Sequence, residues 1–109
     1  MDDLETLHEL VAAEPDDYFT RFCLGKALID AGRAGDAIEQ LQQCIELNRD
    51  YPVAHRWLGV ALQQDGRAEE ARRVWEEGMA VADRTGLIQT GKEMGVLLRR
   101  LRPSLGEHD

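Results

Sequence analysis

Cysteine, proline, aromatic residues and basic charge are all scarce in this chain of 109 residues, and each scarcity excludes something. The two cysteines, Cys23 and Cys44, form no CxxC pair and no disulfide framework; buried, reduced thiols are the expectation. No apolar run is long enough for a transmembrane helix. The opening "MDDLETLHEL" is acidic where a secretory signal is basic, and no apolar stretch follows it, so a cytoplasmic protein is expected. Lys and Arg number 13 against 21 Asp and Glu, a net charge of −8, which repels phosphate backbones and argues against nucleic-acid and membrane partners. The surplus is uneven: residues 1–50 carry twelve acids and four bases, residues 51–109 nine of each.

What the chain does have is repetition. "LGKALIDAGRAGDA" (Leu24 to Ala37) and "LGVALQQDGRAEEA" (Leu58 to Ala71) agree at eight of fourteen positions, each pair 34 residues apart. Every segment between the Gly and Pro punctuation has helical spacing, and none alternates like a strand. Leu4, Leu7, Leu10 and Val11 share one face behind a cap from Asp2 or Asp3. "EPDD" at 14–17 closes that helix and caps the next, from about Asp17 to Ala31, with Phe22, Leu24, Leu28 and Ile29 recurring and Gly32 as a left-handed stop. A helix over about 34–47 turns Ala37, Ile38, Leu41, Cys44 and Ile45 inward. Pro52 opens another that ends before Gly66. The next, over about 68–83, buries Ala71, Val74, Trp75, Gly78 and Val81. Helices this short, each with one apolar stripe, become stable by stacking hairpin on hairpin.

The pattern resembles the tetratricopeptide repeat, whose signature is W-x2-L-G-x2-Y, then A-x3-F, then a proline near the repeat end. Leu24-Gly25 with Leu28, then Ala37 and Leu41, match the first copy. Leu58-Gly59 with Leu62, then Ala71 and Trp75, match the second. Arg21 and His55 replace the signature Trp, and Arg49 replaces the proline. Leu7, Leu10 and Pro15 stand 34 residues before Leu41, Cys44 and Arg49, like the second helix of a repeat without its first. Met94-Gly95 with Leu98 resembles a degenerate first helix, stopped by Pro103. The resemblance implies an all-α stack of antiparallel hairpins in one domain over 1–109: a half repeat (3–15), two repeats (18–51 and 52–85), a capping helix (86–102) and a tail (103–109). Its layout is that of short stand-alone bacterial repeat proteins.

Catalytic constellations are missing. His8, His55 and His108 are isolated, no HExxH or Cys/His ligand spacing occurs, and "LGKAL" is a helix rather than a phosphate loop. Glu69-Glu70 and Glu76-Glu77, beside Arg72 and Arg73, read as solvated ion pairs at helical spacing. No enzyme activity, metal or cofactor is expected. The resemblance instead implies protein binding, as an adaptor or scaffold, in a concave groove lined by the first helix of each pair. The corresponding positions are Phe19, Phe22, Lys26, Ile29 and Asp30; Val53, Arg56, Val60, Gln63 and Gln64; and, on the degenerate helix, Gln89, Lys92, Val96, Arg99 and Arg100. Five bases and one acid on an acidic protein, among apolar residues, suit an acidic or amphipathic peptide, with Lys26, Arg56 and Lys92 orienting its acids. Related co-chaperones hold a C-terminal carboxylate with a lysine and two asparagines, at the positions of Phe22, Lys26 and Trp57 here; a carboxylate could meet Lys26, but both amides are missing, which argues against chaperone-tail binding. The rival expectation is self-assembly: Leu87, Gly91, Met94, Leu98, Leu101 and Leu105 recur like a short coiled-coil seam, and the first helix has an open outer side, so monomer and homodimer both remain open. Capping of Val74, Trp75 and Val81 by the tail of the same chain competes with that seam.

Overall fold

The computed structural model describes residues 3–107; Asp2 and His108 lie outside them. Six α-helices and one 3-10 turn follow in order: α1 (Leu4–Ala13), α2 (Tyr18–Asp30), α3 (Ala34–Leu47), α4 (Pro52–Gln64), α5 (Ala68–Thr85), α6 (Ile88–Leu101) and the turn η1 (Arg102–Leu105). Among the described residues there is no strand.

Local chemistry sets the ends. The Asp3 side chain accepts from the Thr6 N–H at 2.8 Å, and Asp17 accepts from Phe19 and Thr20, two caps that release α1 and α2 from the acidic segments before them. Pro52 takes the first turn of α4, where a missing N–H costs nothing. Gly32 and Gly66 adopt φ of 76° and 77°; the N–H groups of Arg33 and Arg67 reach back to the Leu28 and Leu62 carbonyls at 2.8 Å. A side chain at either glycine would oppose the left-handed turn that folds one helix onto the next. The residue after each, Arg33 or Arg67, then pairs with Asp36 or Glu70 three positions on, both at 2.7 Å.

Packing follows sequence order, with α2 against α3, α4 against α5, and α6 against α5 and α4. The stack measures 47 × 30 × 22 Å, elongated as a structure growing by hairpins must be. Its core is Leu24, Leu28, Leu41, Leu62, Trp75, Met94 and Leu101. The two small residues of the repeat are notches. A Cβ on Gly25 would lie 2.7 Å from Leu41, and one on Gly59 would run into the Trp75 indole. Trp75 spans that notch and donates its N–H to the Arg56 carbonyl at 3.0 Å, so its one polar atom is satisfied inside the core.

Three expectations are revised. Leu10, placed on the inward face, is 43% exposed, because no helix covers α1 on that side, whereas its counterpart Cys44 is covered. Helix α5 runs two residues past Asp83, as the Thr85 hydroxyl bonds back to the Val81 carbonyl at 2.8 Å and Gly86 supplies the left-handed stop. Most of the apparent coiled-coil seam on α6 is used within the chain: Met94 and Leu101 are buried, Met94 against Gly78 of α5. Cys44 is buried, and desolvation, reinforced by neighbouring Cys23, pushes its thiol pKa up to about 12; no disulfide joins the two.

Candidate functional site

On α2, Phe19, Phe22 and Lys26 recur at helical spacing and form one stripe; Val53, Arg56 and Val60 repeat it on α4. The first part is aromatic. Phe19 stacks on Phe22 with centroids 6.0 Å apart. Tyr51, just before Pro52, receives both Phe22 and Tyr18 edge-on at 5.4 and 5.1 Å. These rings join the start of α2 to the start of α4 and leave Phe19 52% exposed, a large apolar contact for something outside the chain.

The second part is cationic. The Lys26 ammonium sits 3.7 Å from the centroid of the Trp57 ring, and the Arg56 guanidinium 4.7 Å from the same ring. Two cations thus share one indole, each attracted by its π-face. Arg56 also reaches Glu93 of α6 at 3.6 Å, closing a ladder across three helices, and its Nε is buried without a hydrogen-bond acceptor.

The other expected groove residues divide. Ile29 is 7% exposed and belongs to the core beneath the groove. Val53 and Val60 are half-buried, with Val60 packed on the core, and Asp30, Gln63 and Gln64 are exposed. Lys92, Val96 and Arg99 line a different depression of about 550 Å³ between α5 and α6, while Gln89 and Arg100 are exposed. Trp57 and Glu93 complete the ladder, and neither is among the groove positions that the repeat offsets pick out. Trp57 neighbours Arg56 in sequence, but its meeting with Lys26 depends on how α2 and α4 are staggered.

On the opposite side, His55 floors a second depression with Ile45, Arg49 and Glu77. It is 4% exposed, and its Nδ1 makes no well-formed hydrogen bond. Burial pushes its pKa down, against the pull of Glu77 and of the Tyr51 carbonyl one turn back, so the ring is a neutral packing group at pH 7. Arg72 holds Glu69 at 2.6 Å and Glu76 at 3.3 Å, ion pairs one helical turn apart on the surface of α5. Among the described residues no three His, Cys, Asp or Glu side chains converge to hold a metal ion.

Comparison with known proteins decides the family. Residues 25–66 match the TPR repeat model. The chain is 42% identical over 98 residues to "TPR repeat-containing protein PA0015" of Pseudomonas aeruginosa, covering 90% of this chain and 93% of that one. It belongs to the tetratricopeptide repeat family. The solution structure of protein BPP2914 from Bordetella parapertussis superposes with a TM-score of 0.82 at 35% identity, over 95% of this chain and 90% of that one. The crystal structure of MamA has the same fold, with a TM-score of 0.69 at 22% identity over 92% of this chain and 67% of its own. Tetratricopeptide repeats are in general non-catalytic and mediate contacts between proteins. No described helix is long and apolar enough to cross a membrane.

Proposed function

We propose that this repeat protein is an adaptor whose α2–α4 face binds an acidic, aromatic- or aliphatic-bearing segment of a partner protein. The observation that carries this reading is the gathering of two cations, Lys26 and Arg56, at the Trp57 indole. A partner carboxylate beside that ring meets two charge-assisted donors, the Lys26 ammonium and the Arg56 guanidinium, on a protein with more acids than bases. Phe22 and Phe19, one and two turns back along α2 from Lys26, supply the apolar anchor, and Val60 the far wall.

The rigid hairpin stack presents these groups preorganised, which lowers the ordering cost of binding. Calorimetric titration with peptides pairing Asp or Glu with Leu or Phe tests the reading. Wild type is expected to bind, and Lys26→Glu/Arg56→Gln to weaken binding at least tenfold, about 1.4 kcal/mol. Equal affinity for wild type and the double variant would contradict it.

A further inference from the structure

The depression between α5 and α6 is an unfilled helix seat. In both complete hairpins the glycine of the first helix is covered by a large side chain of the second, Gly25 by Leu41 and Gly59 by Trp75. Gly95 is the third member of that series, and a Cβ there would meet only the Met79 methyl of α5, at 3.6 Å. Gly91, one turn earlier, looks onto Ala82. Together with the exposed Ile88 they leave a shallow apolar trough whose charged edges are Lys92, Arg99 and Asp83.

At the opposite end of the stack, α1 has the complementary lack. It packs on α2 through Leu7 and Val11, while Thr6, Leu10 and Ala13, one stripe at helical spacing, face away and are exposed. Glu9 and Glu14 flank that stripe. Residues 1–17 carry seven acids and no base; residues 88–102 carry four bases and one acid.

We infer that the chain associates head to tail with a second copy of itself, α1 of one copy seating in the α5–α6 trough of the next. Two observations select this occupant. The first is charge: α1 and its flanks are acidic, and the charged residues lining the trough are Lys92 and Arg99 against the single acid Asp83. The second is length: α1, with 10 residues, spans about 15 Å, and the trough from Ile88 to Arg99 about 17 Å at 1.5 Å per residue. In the pair, α6 of one copy and α1 of the other form a composite hairpin with Leu10 over the Gly91–Gly95 strip, continuing the stack. Such an interface is heterologous, so it leaves one free end of each kind and grows beyond a dimer unless it closes into a ring. It uses neither Lys26 nor Trp57 and stands apart from the peptide-binding reading.

Sedimentation equilibrium of the full chain from about 10 μM to about 1 mM tests the inference. The two variants are Lys92→Glu/Arg99→Glu, which reverses the trough, and Glu9→Lys/Glu14→Lys, which reverses α1. All four sites are exposed, and circular dichroism checks that both variants stay folded. Wild type is expected to gain mass with concentration, each variant to associate at least tenfold more weakly, and their equimolar mixture to recover wild-type association because opposite charges again meet. A wild type that is monomeric throughout overturns the proposal. So does association that both variants retain, or a mixture that fails to recover it.

Discussion

Two glycines at equivalent positions of the repeat carry opposite expectations at the level of single residues. Gly59 lies against the Trp75 indole, so Gly59→Ala forces the largest core side chain to move and is expected to destabilise by about 1–3 kcal/mol. Gly95 has open space, so Gly95→Ala is expected to be neutral or to stabilise by up to about 1 kcal/mol through helix propensity. Urea unfolding of the two variants reads the difference directly. His55 supplies a pH dependence. Burial holds its folded pKa below the ordinary imidazole value of about 6.5, so the unfolded chain takes up the proton first. Its contribution is therefore complete above about pH 6.5 and declines as pH falls through the window between that value and the folded pKa. The urea midpoint should fall more between pH 7.5 and 5.5 for wild type than for His55→Gln, since His8 and His108 are common to both. Equal falls would show that His55 does not titrate with unfolding.

Within each element, the 34-residue period made most of the fold readable, because it fixes which side chains meet. Gly25 and Gly59 stand at the same signature position of the two repeats, and Leu41 and Trp75, also 34 residues apart, are the side chains that cover them. Gly32 was legible as a left-handed helix stop and Gly66 as a helix end, and both adopt positive φ. What the repeat does not encode is the relation between non-equivalent positions. The meeting of Lys26 with Trp57 depends on the stagger of α2 and α4, and the pairing of Arg56 with Glu93 on where α6 settles. Leu10 follows the repeat pattern of Cys44 yet is exposed, since periodicity does not report whether a neighbour is present to cover a face. The role of α6 can be tested by Met94→Ala. Loss of that buried side chain, packed against Gly78, is expected to cost about 2–5 kcal/mol in urea unfolding. A cost below about 1 kcal/mol would mean that α6 is only loosely attached to α5.

Taken as a whole molecule, the chain is polarised both along and across the stack. Along it, charge runs from the acidic α1 to the basic α6. Across it, the α2–α4 face carries the exposed Phe19 and the two cations on Trp57, while the opposite side holds the neutral His55. Stability in such a stack comes from neighbour-to-neighbour contacts, which leaves one face free to vary without unfolding the rest. The protein-binding face is the central claim, and amide and indole NMR shifts during titration with an acidic, aromatic-bearing peptide test it most directly. The account predicts shifts concentrated at Phe19, Phe22, Lys26, Arg56, Val60 and the Trp57 indole N–H. Shifts confined to Met79, Gly91 and Arg99, or none at all, would contradict it.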